Sequence, residues 1–264
     1  MKVGFIQSAP KFGEVEENLA SAVKVVTRLA KDGAELIVLP ELFNTGYQFR
    51  DKAEARTLSE AVPSGQTTRR LIDLAQDKKL HIVFGIAERS GKKLYNSSVL
   101  IGPHGFIATY RKAHPFWNEK KIFSPGNTPF KVYDIGKARV GMMICFDWIF
   151  PEVARRLSLL GADIICHPSN LVLPHCPEAM ITRSLENRVF TITANRVGTE
   201  SRGRGGRLSF IGQSQIVSPR GELLARAPRG RVFSKVVQVD IKKARYKKIT
   251  PVNDLFLDRR EDMY

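Results

Sequence analysis

The sequence predicts an α/β fold: a four-layer α-β-β-α sandwich of two mixed sheets, with a pseudo-two-fold internal repeat. Two observations carry this reading. First, the apolar runs Leu36–Leu39 and Ile164–Cys166 are continuous rather than alternating, as in strands covered on both faces. Second, a strand–helix–strand unit occurs twice. VGFIQ at 3–7 is followed by a helical stretch over Val15–Lys31 and then by GAELIVLPE at 33–41. VGMMIC at 140–145 is followed by a helical stretch over Pro151–Leu160 and then by GADIICHPS at 161–169. Both units close on Gly-Ala-acidic, an apolar run and a proline. Two related halves, each building one sheet, give the sandwich; a single doubly wound sheet is the alternative.

Between the units, His81–Glu88, Tyr95–Gly102 and Phe106–Arg111 read as strands, with Gly102-Pro-His-Gly105 as a turn. Lys131–Ile135 and Arg139–Cys145 flank a turn at Gly136. Phe190–Asn195, Gly212–Ser218, Glu222–Ala225 and Val232–Val239 follow, and Ser218-Pro-Arg-Gly221 is a hairpin signal. No low-complexity linker divides the chain, so residues 1–264 are expected to form one domain. A chain of this length buries about three quarters of its unfolded surface and needs no disulfide or structural metal to fold.

Composition narrows the function classes. No apolar run approaches membrane-span length, and no basic segment followed by a long apolar stretch opens the chain, so neither a membrane anchor nor a signal peptide is expected. Three cysteines, an odd number, argue for a reducing, cytoplasmic compartment. The net charge of +16 raises a nucleic-acid partner. Its densest stretches, Arg202–Arg207 and Lys242–Lys248, do not interleave aromatics at a base-stacking spacing, so no nucleic-acid partner is expected.

Three polar residues stand where apolar strands stop: Glu41, Lys112 and Cys145. Ligands of α/β sheets bind outside the carboxyl ends of strands. A thiol at a strand end before a helix is expected to have its pKa lowered. A thiol, a carboxylate and an ammonium suit acyl transfer, as nucleophile, proton carrier and oxyanion partner. Taken singly, each has a plainer reading: buried core for the cysteine, a solvated strand end for the other two.

The surrounding residues change that balance. Pro40-Glu41-Leu42-Phe43-Asn44-Thr45-Gly46-Tyr47 resembles the glutamate motif of the nitrilase superfamily of carbon–nitrogen hydrolases. Tyr110-Arg111-Lys112-Ala113-His114 resembles its lysine motif, and Gly141 through Cys145-Phe-Asp-Trp to Glu152 its cysteine motif. Arg183-Ser-Leu-Glu186-Asn187 and the tail from Asn253 to Arg260 resemble further segments. The resemblance spans essentially the whole chain and implies the same α-β-β-α fold. It implies Cys145 as nucleophile, Glu41 as general base and later acid, and Lys112 as oxyanion stabiliser. Glu119, seven residues on, would be a second glutamate positioning substrate and lysine, and the Phe146 N–H would complete the oxyanion hole. Tyr47, Phe116, Trp117 and Asn170 are candidates for the substrate pocket; Asn170 closes the second unit much as Glu41 closes the first. No cofactor is implied. Dimers, often building larger assemblies, would form through residues near 150–160 and the tail 251–264, where Phe256 and Leu257 dock either on a partner or on their own subunit.

Cys166-His167 and His175-Cys176 raise a zinc site, but strand neighbours point to opposite faces and the short Cys-to-Cys spacing is missing, so no metal is expected. The substrate is expected to be a small aliphatic amide or carbamoyl amide, since Phe146-Asp147 replaces the Trp-Glu that follows the cysteine in many nitrilases. An aliphatic nitrile is the alternative, and a non-catalytic binding module a remote one. Arg183, if it faced the pocket, would suit a carboxylate-bearing substrate.

Overall fold

The computed structural model describes residues 1–202 and 206–263. One sheet contains β1 (Lys2–Gln7), β2 (Leu36–Val38), β3 (His81–Ser90), β4 (Lys93–Gly102), β5 (Gly105–Arg111) and, from the far end of the chain, β14 (Phe233–Gln238), in the order β14-β1-β2-β3-β4-β5. The other contains β6 (Val132–Asp134), β7 (Arg139–Met142), β8 (Ile164–Pro168), β9 (Phe190–Ala194), β12 (Gln215–Val217) and β13 (Leu223–Arg226), in the order β13-β12-β9-β8-β7-β6. Strands β1, β2 and β3 run parallel, and so do β7, β8 and β9. In both sheets the flanking strands are antiparallel. Val3 lies opposite Leu36 and Val140 opposite Ile164, the same positions in the two sequence units. The expected mixed-sheet repeat is therefore present in both order and register.

The continuous apolar runs are covered on both faces. Leu36 and Val38 belong to the core that also holds Met142, Ile164 and Phe190 of the other sheet. Ile37 and Leu39 pack instead with Leu19, Val26 and Leu71 of the outer helices α1 (Val15–Lys31) and α3 (Gln66–Lys78), between which the short α2 (Lys52–Leu58) falls in the chain. The α1 contacts recur at helical spacing, through Leu19, Ala22, Val26 and Leu29. Helices α5 (Pro151–Leu159) and α6 (Cys176–Asn187) cover the second sheet, completing the four layers.

Three features depart from the sequence expectation. Strand β7 ends at Met142, and Cys145 opens a 3-10 turn over Cys145–Ile149. Helices α3 and α6, absent from the sequence expectation, bury stripes that are partly polar, with Thr67, Thr68, Ser184 and Asn187 among the buried residues. A two-stranded ribbon, β10 (Val197–Ser201) with β11 (Arg207–Ile211), interrupts the second half between β9 and β12.

Of the basic stretch Arg202–Arg207, residues 203–205 lie outside the described residues; Arg202 pairs with Glu54 at 2.5 Å. In Lys242–Lys248, Arg245 pairs with Asp163 at 3.0 Å, and Lys247 donates to the carbonyls of Asn187 and Arg188 at the end of α6. In the tail, Phe256 lies under Arg155 and Lys247 of its own subunit, whereas Leu257 is exposed. Among the described residues no helix is long and apolar enough to cross a membrane.

Candidate active site

Strand ends from both sheets deliver the three polar residues to one place. Glu41 follows β2, and its loop is pressed onto β3: a Cβ added at Gly85 would lie 2.4 Å from the Glu41 Cα, so only glycine allows this approach. Lys112 follows β5, where its N–H bonds the carbonyl of Asn96 on β4 at 2.8 Å. Lys112 and Asn96 are thus cross-strand neighbours. Glu119 opens the short helix α4 (Glu119–Ile122).

The side chains form one buried cluster. The Lys112 ammonium donates to Glu41 Oε1 at 2.7 Å and to Glu119 Oε1 at 2.8 Å. Asn96 Nδ2 donates to Glu41 Oε1 at 2.6 Å and reaches Glu119 Oε2 at 3.3 Å. The Tyr47 hydroxyl donates to Glu119 Oε1 at 2.6 Å. Glu41 Oε2 finds no hydrogen-bond partner among the described residues. Burial pushes the Glu41 carboxyl up to about 7, against the pull of Lys112 and with the help of Glu119. Burial works against the Lys112 ammonium, but Glu119 and Glu41 outweigh it and hold its pKa well above the ordinary lysine range. The arrangement therefore keeps an ammonium fixed and places a carboxyl where it can take or give a proton near neutral pH.

Cys145 is buried and adopts φ 42°, the left-handed region that a residue with a side chain rarely enters. Such a sharp strand-to-turn elbow presents its side chain clear of the flanking backbone. The strain is held by specific partners. His167 Nε2 bonds the Cys145 carbonyl at 2.9 Å. Asp147 Oδ2 accepts from the Ile144 N–H at 2.9 Å and the Tyr110 hydroxyl at 2.8 Å, while Oδ1 pairs with His114 Nδ1 at 2.7 Å. The lysine segment and the cysteine segment are thereby tied together. The expected lowering of the Cys145 pKa is overturned. Burial, then the negative charge of Glu41, raises it well above the usual thiol range, against the pull of the Lys112 ammonium. The resting thiol is neutral and needs a base.

The pocket candidates divide. Asn170 Nδ2 donates to the Glu41 carbonyl at 3.0 Å, so the second unit's end does meet the first's. The half-buried Phe146 ring packs against Phe116 at 4.9 Å. Tyr47, Trp117 and Glu119 line a cavity of about 450 Å³ together with Phe123, Arg202 and Leu208, a size that suits a small ligand. Arg183 does not suit a substrate carboxylate: its guanidinium is engaged by the Trp148 carbonyl and Glu186. Cys166 and His167 point apart on β8, the cysteine into the core and the imidazole to Cys145, while Cys176 is buried and His175 exposed at the start of α6. Among the described residues no group of three or more His, Cys, Asp or Glu is placed to hold a metal. Burial lowers the His167 pKa to about 4, keeping the ring neutral.

Sequence reasoning missed Asn96, His167 and the Asp147–His114–Tyr110 network. The available signal was Asn96-Ser97-Ser98, three polar residues in succession inside a strand that is buried on both faces.

Comparison with known proteins agrees with this geometry. The chain is 48% identical over 264 residues to a nitrilase from Pyrococcus abyssi, covering 100% of this chain and 99% of that one. It is 34% identical to an (R)-stereoselective amidase from a Pseudomonas species, over 91% and 85% of the two chains. Its fold superposes on the crystal structure of an amidase from a Nesterenkonia species with a TM-score of 0.85, at 26% identity, covering 100% of this chain and 94% of that one. The model of the carbon-nitrogen hydrolase family matches residues 2–249. The chain belongs to the carbon–nitrogen hydrolase family.

Proposed function

We propose that the protein hydrolyses the C–N bond of a small aliphatic amide or carbamoyl amide, releasing acid and ammonia through a thioester on Cys145. The observation that carries this reading is the buried Glu41–Lys112–Glu119 cluster coupled electrostatically to a buried cysteine on a left-handed turn. Glu41, with its carboxyl near 7, takes the thiol proton as the sulfur attacks the carbonyl carbon. The Lys112 ammonium and the Phe146 N–H hold the oxyanion. Collapse expels ammonia, protonated by Glu41. Water then gives its proton to Glu41, attacks the thioester and releases the acid, and Glu41 returns the proton to the sulfur. Glu119, Tyr47 and Asn96 keep the lysine and base in place, and Phe116, Trp117 and Asn170 shape the pocket.

A second reading, nitrile hydrolysis through a thioimidate on the same cysteine, is favoured by the 48% identity to the Pyrococcus abyssi nitrilase. Ammonia release across a panel of small amides, carbamoyl compounds and aliphatic nitriles separates the two. Turnover that survives Cys145→Ala would overturn both. A homodimer or larger homo-oligomer through residues near 150–160 and the tail 251–264 is part of the proposal, supported by exposed Leu159, Val252 and Leu257; a monomer by light scattering would refute it. Three unpaired cysteines support a cytoplasmic location.

A further inference from the structure

The ribbon β10–β11 has no counterpart in the first half of the repeat, where β3 leads directly into β4. It carries a buried ion pair that the mechanism above leaves unused. Arg196, just before β10, is one of the largest fully buried side chains. Its guanidinium binds the Glu200 carboxylate, donates to the Pro10 carbonyl at 3.1 Å and stacks on Phe210 at 4.1 Å. Glu200 is also buried, and its remaining capacity goes to a single target. It accepts the Tyr47 N–H at 3.1 Å and the Gln48 N–H at 2.7 Å. A Cβ at Gly46 would lie 2.9 Å from Glu200 Oε1, so the carboxylate is seated directly against this loop. Tyr47 in turn donates its hydroxyl to Glu119, which holds Lys112.

Isolated buried charges are costly, and a buried pair gains little over an apolar one. An ion pair of this kind is therefore a poor stability device. Its geometry serves another purpose, because a carboxylate gripping two successive backbone N–H groups fixes that segment in place. We propose that Glu200, clamped by Arg196, is a positioning residue for the reaction: through the backbone of Tyr47 it sets the Tyr47 hydroxyl on Glu119 and so aligns the Lys112 ammonium. The inference rests on the reading of Glu41, Lys112 and Cys145 as the reaction centre. It assigns the ion pair of the inserted ribbon a part in catalysis, exerted through the backbone of Tyr47.

The test is a double-mutant cycle on the full-length enzyme with Glu200→Gln, Tyr47→Phe and the pair, each checked for a native melting curve. Each single variant is expected to lose kcat by roughly ten- to hundredfold, the range for a reacting group displaced by up to an ångström. KM should change little. Because both act through one chain of contacts, the double variant should be no slower than the worse single variant. The acidic limb of the pH profile should move in the same direction in both, since both loosen Glu119. Losses that multiply in the double variant would overturn the proposal, as would a folded Glu200→Gln enzyme with unchanged kcat. If Glu200→Gln fails to fold, Arg196→Lys keeps the buried positive charge but gives up the fork, and it enters the same cycle. Failure of the underlying reading looks different: the Cys145→Ala variant would then retain turnover.

Discussion

Replacing Glu119 by Gln tests the electrostatic account of the site most directly. Glu41 and Glu119 accept from the same ammonium at 2.7 and 2.8 Å. Two acceptors of one tetrahedral ammonium lie roughly 4–5 Å apart, a separation at which like charges repel by roughly 3–4 kcal/mol at an effective dielectric of about 20. That corresponds to about two to three pKa units. In Glu119→Gln this repulsion disappears and Lys112 is left to Glu41 alone, so both changes favour ionised Glu41. The sign is fixed: the Glu41 carboxyl, held up to about 7 by burial and by Glu119, must fall. The base must be ionised to act, so the acidic limb of kcat/KM should shift to lower pH by about one to two units. The plateau should drop as well, because Lys112 loses an anchor. The assay is ammonia release across the pH range with the preferred substrate, and stopped-flow alkylation of Cys145 gives a substrate-free check. An acidic limb that stays in place or moves upward would refute the coupling.

Other perturbations follow from the same contacts. Asn96→Leu removes the hydrogen bond that favours ionised Glu41, so the acidic limb should move the opposite way, by roughly one unit. Gly85→Ala places a carbon 2.4 Å from the Glu41 Cα; the forced backbone shift should cost roughly 1–3 kcal/mol, read as a Tm loss of several degrees, with activity lost as Glu41 moves. Asp147→Asn turns a donor toward groups that already donate, His114 and Tyr110 or the Ile144 N–H. A denaturation midpoint lower by roughly 1–3 kcal/mol and a slower enzyme are expected.

The legible parts of the molecule were those written in local pattern. Continuous apolar runs marked β2 and β8, and the repeated Gly-Ala-acidic closures marked two equivalent halves. The turns at Gly136 and Ser218-Pro-Arg-Gly221 bounded their hairpins, with Gly136 and Gly221 both at positive φ. Helices α3 and α6 were not legible because the stripe they bury is partly polar. Glu41, Lys112 and Cys145 were legible as motifs, but their meeting depends on three strand ends from two sheets, which no spacing encodes. Asn96 and Glu200 were hidden for the same reason: each acts across the fold, one beside its cross-strand neighbour and the other 153 residues from the backbone it grips. The lowered thiol pKa expected from a strand end failed because the sulfur is desolvated and faces the carboxylates of Glu41 and Glu119.

The internal repeat has one more consequence. Aligned by their shared strand register, Cys145 falls on Ser8 and Glu41 falls on Ser169. On the proposed roles, the seat of the nucleophile holds a thiol only in the second half, and the seat of the base holds a carboxylate only in the first. Neither half could host the chemistry alone. On the proposed roles, a cut that separates the halves is expected to yield two inert pieces whose activity returns only when they dock, the behaviour a split reporter needs.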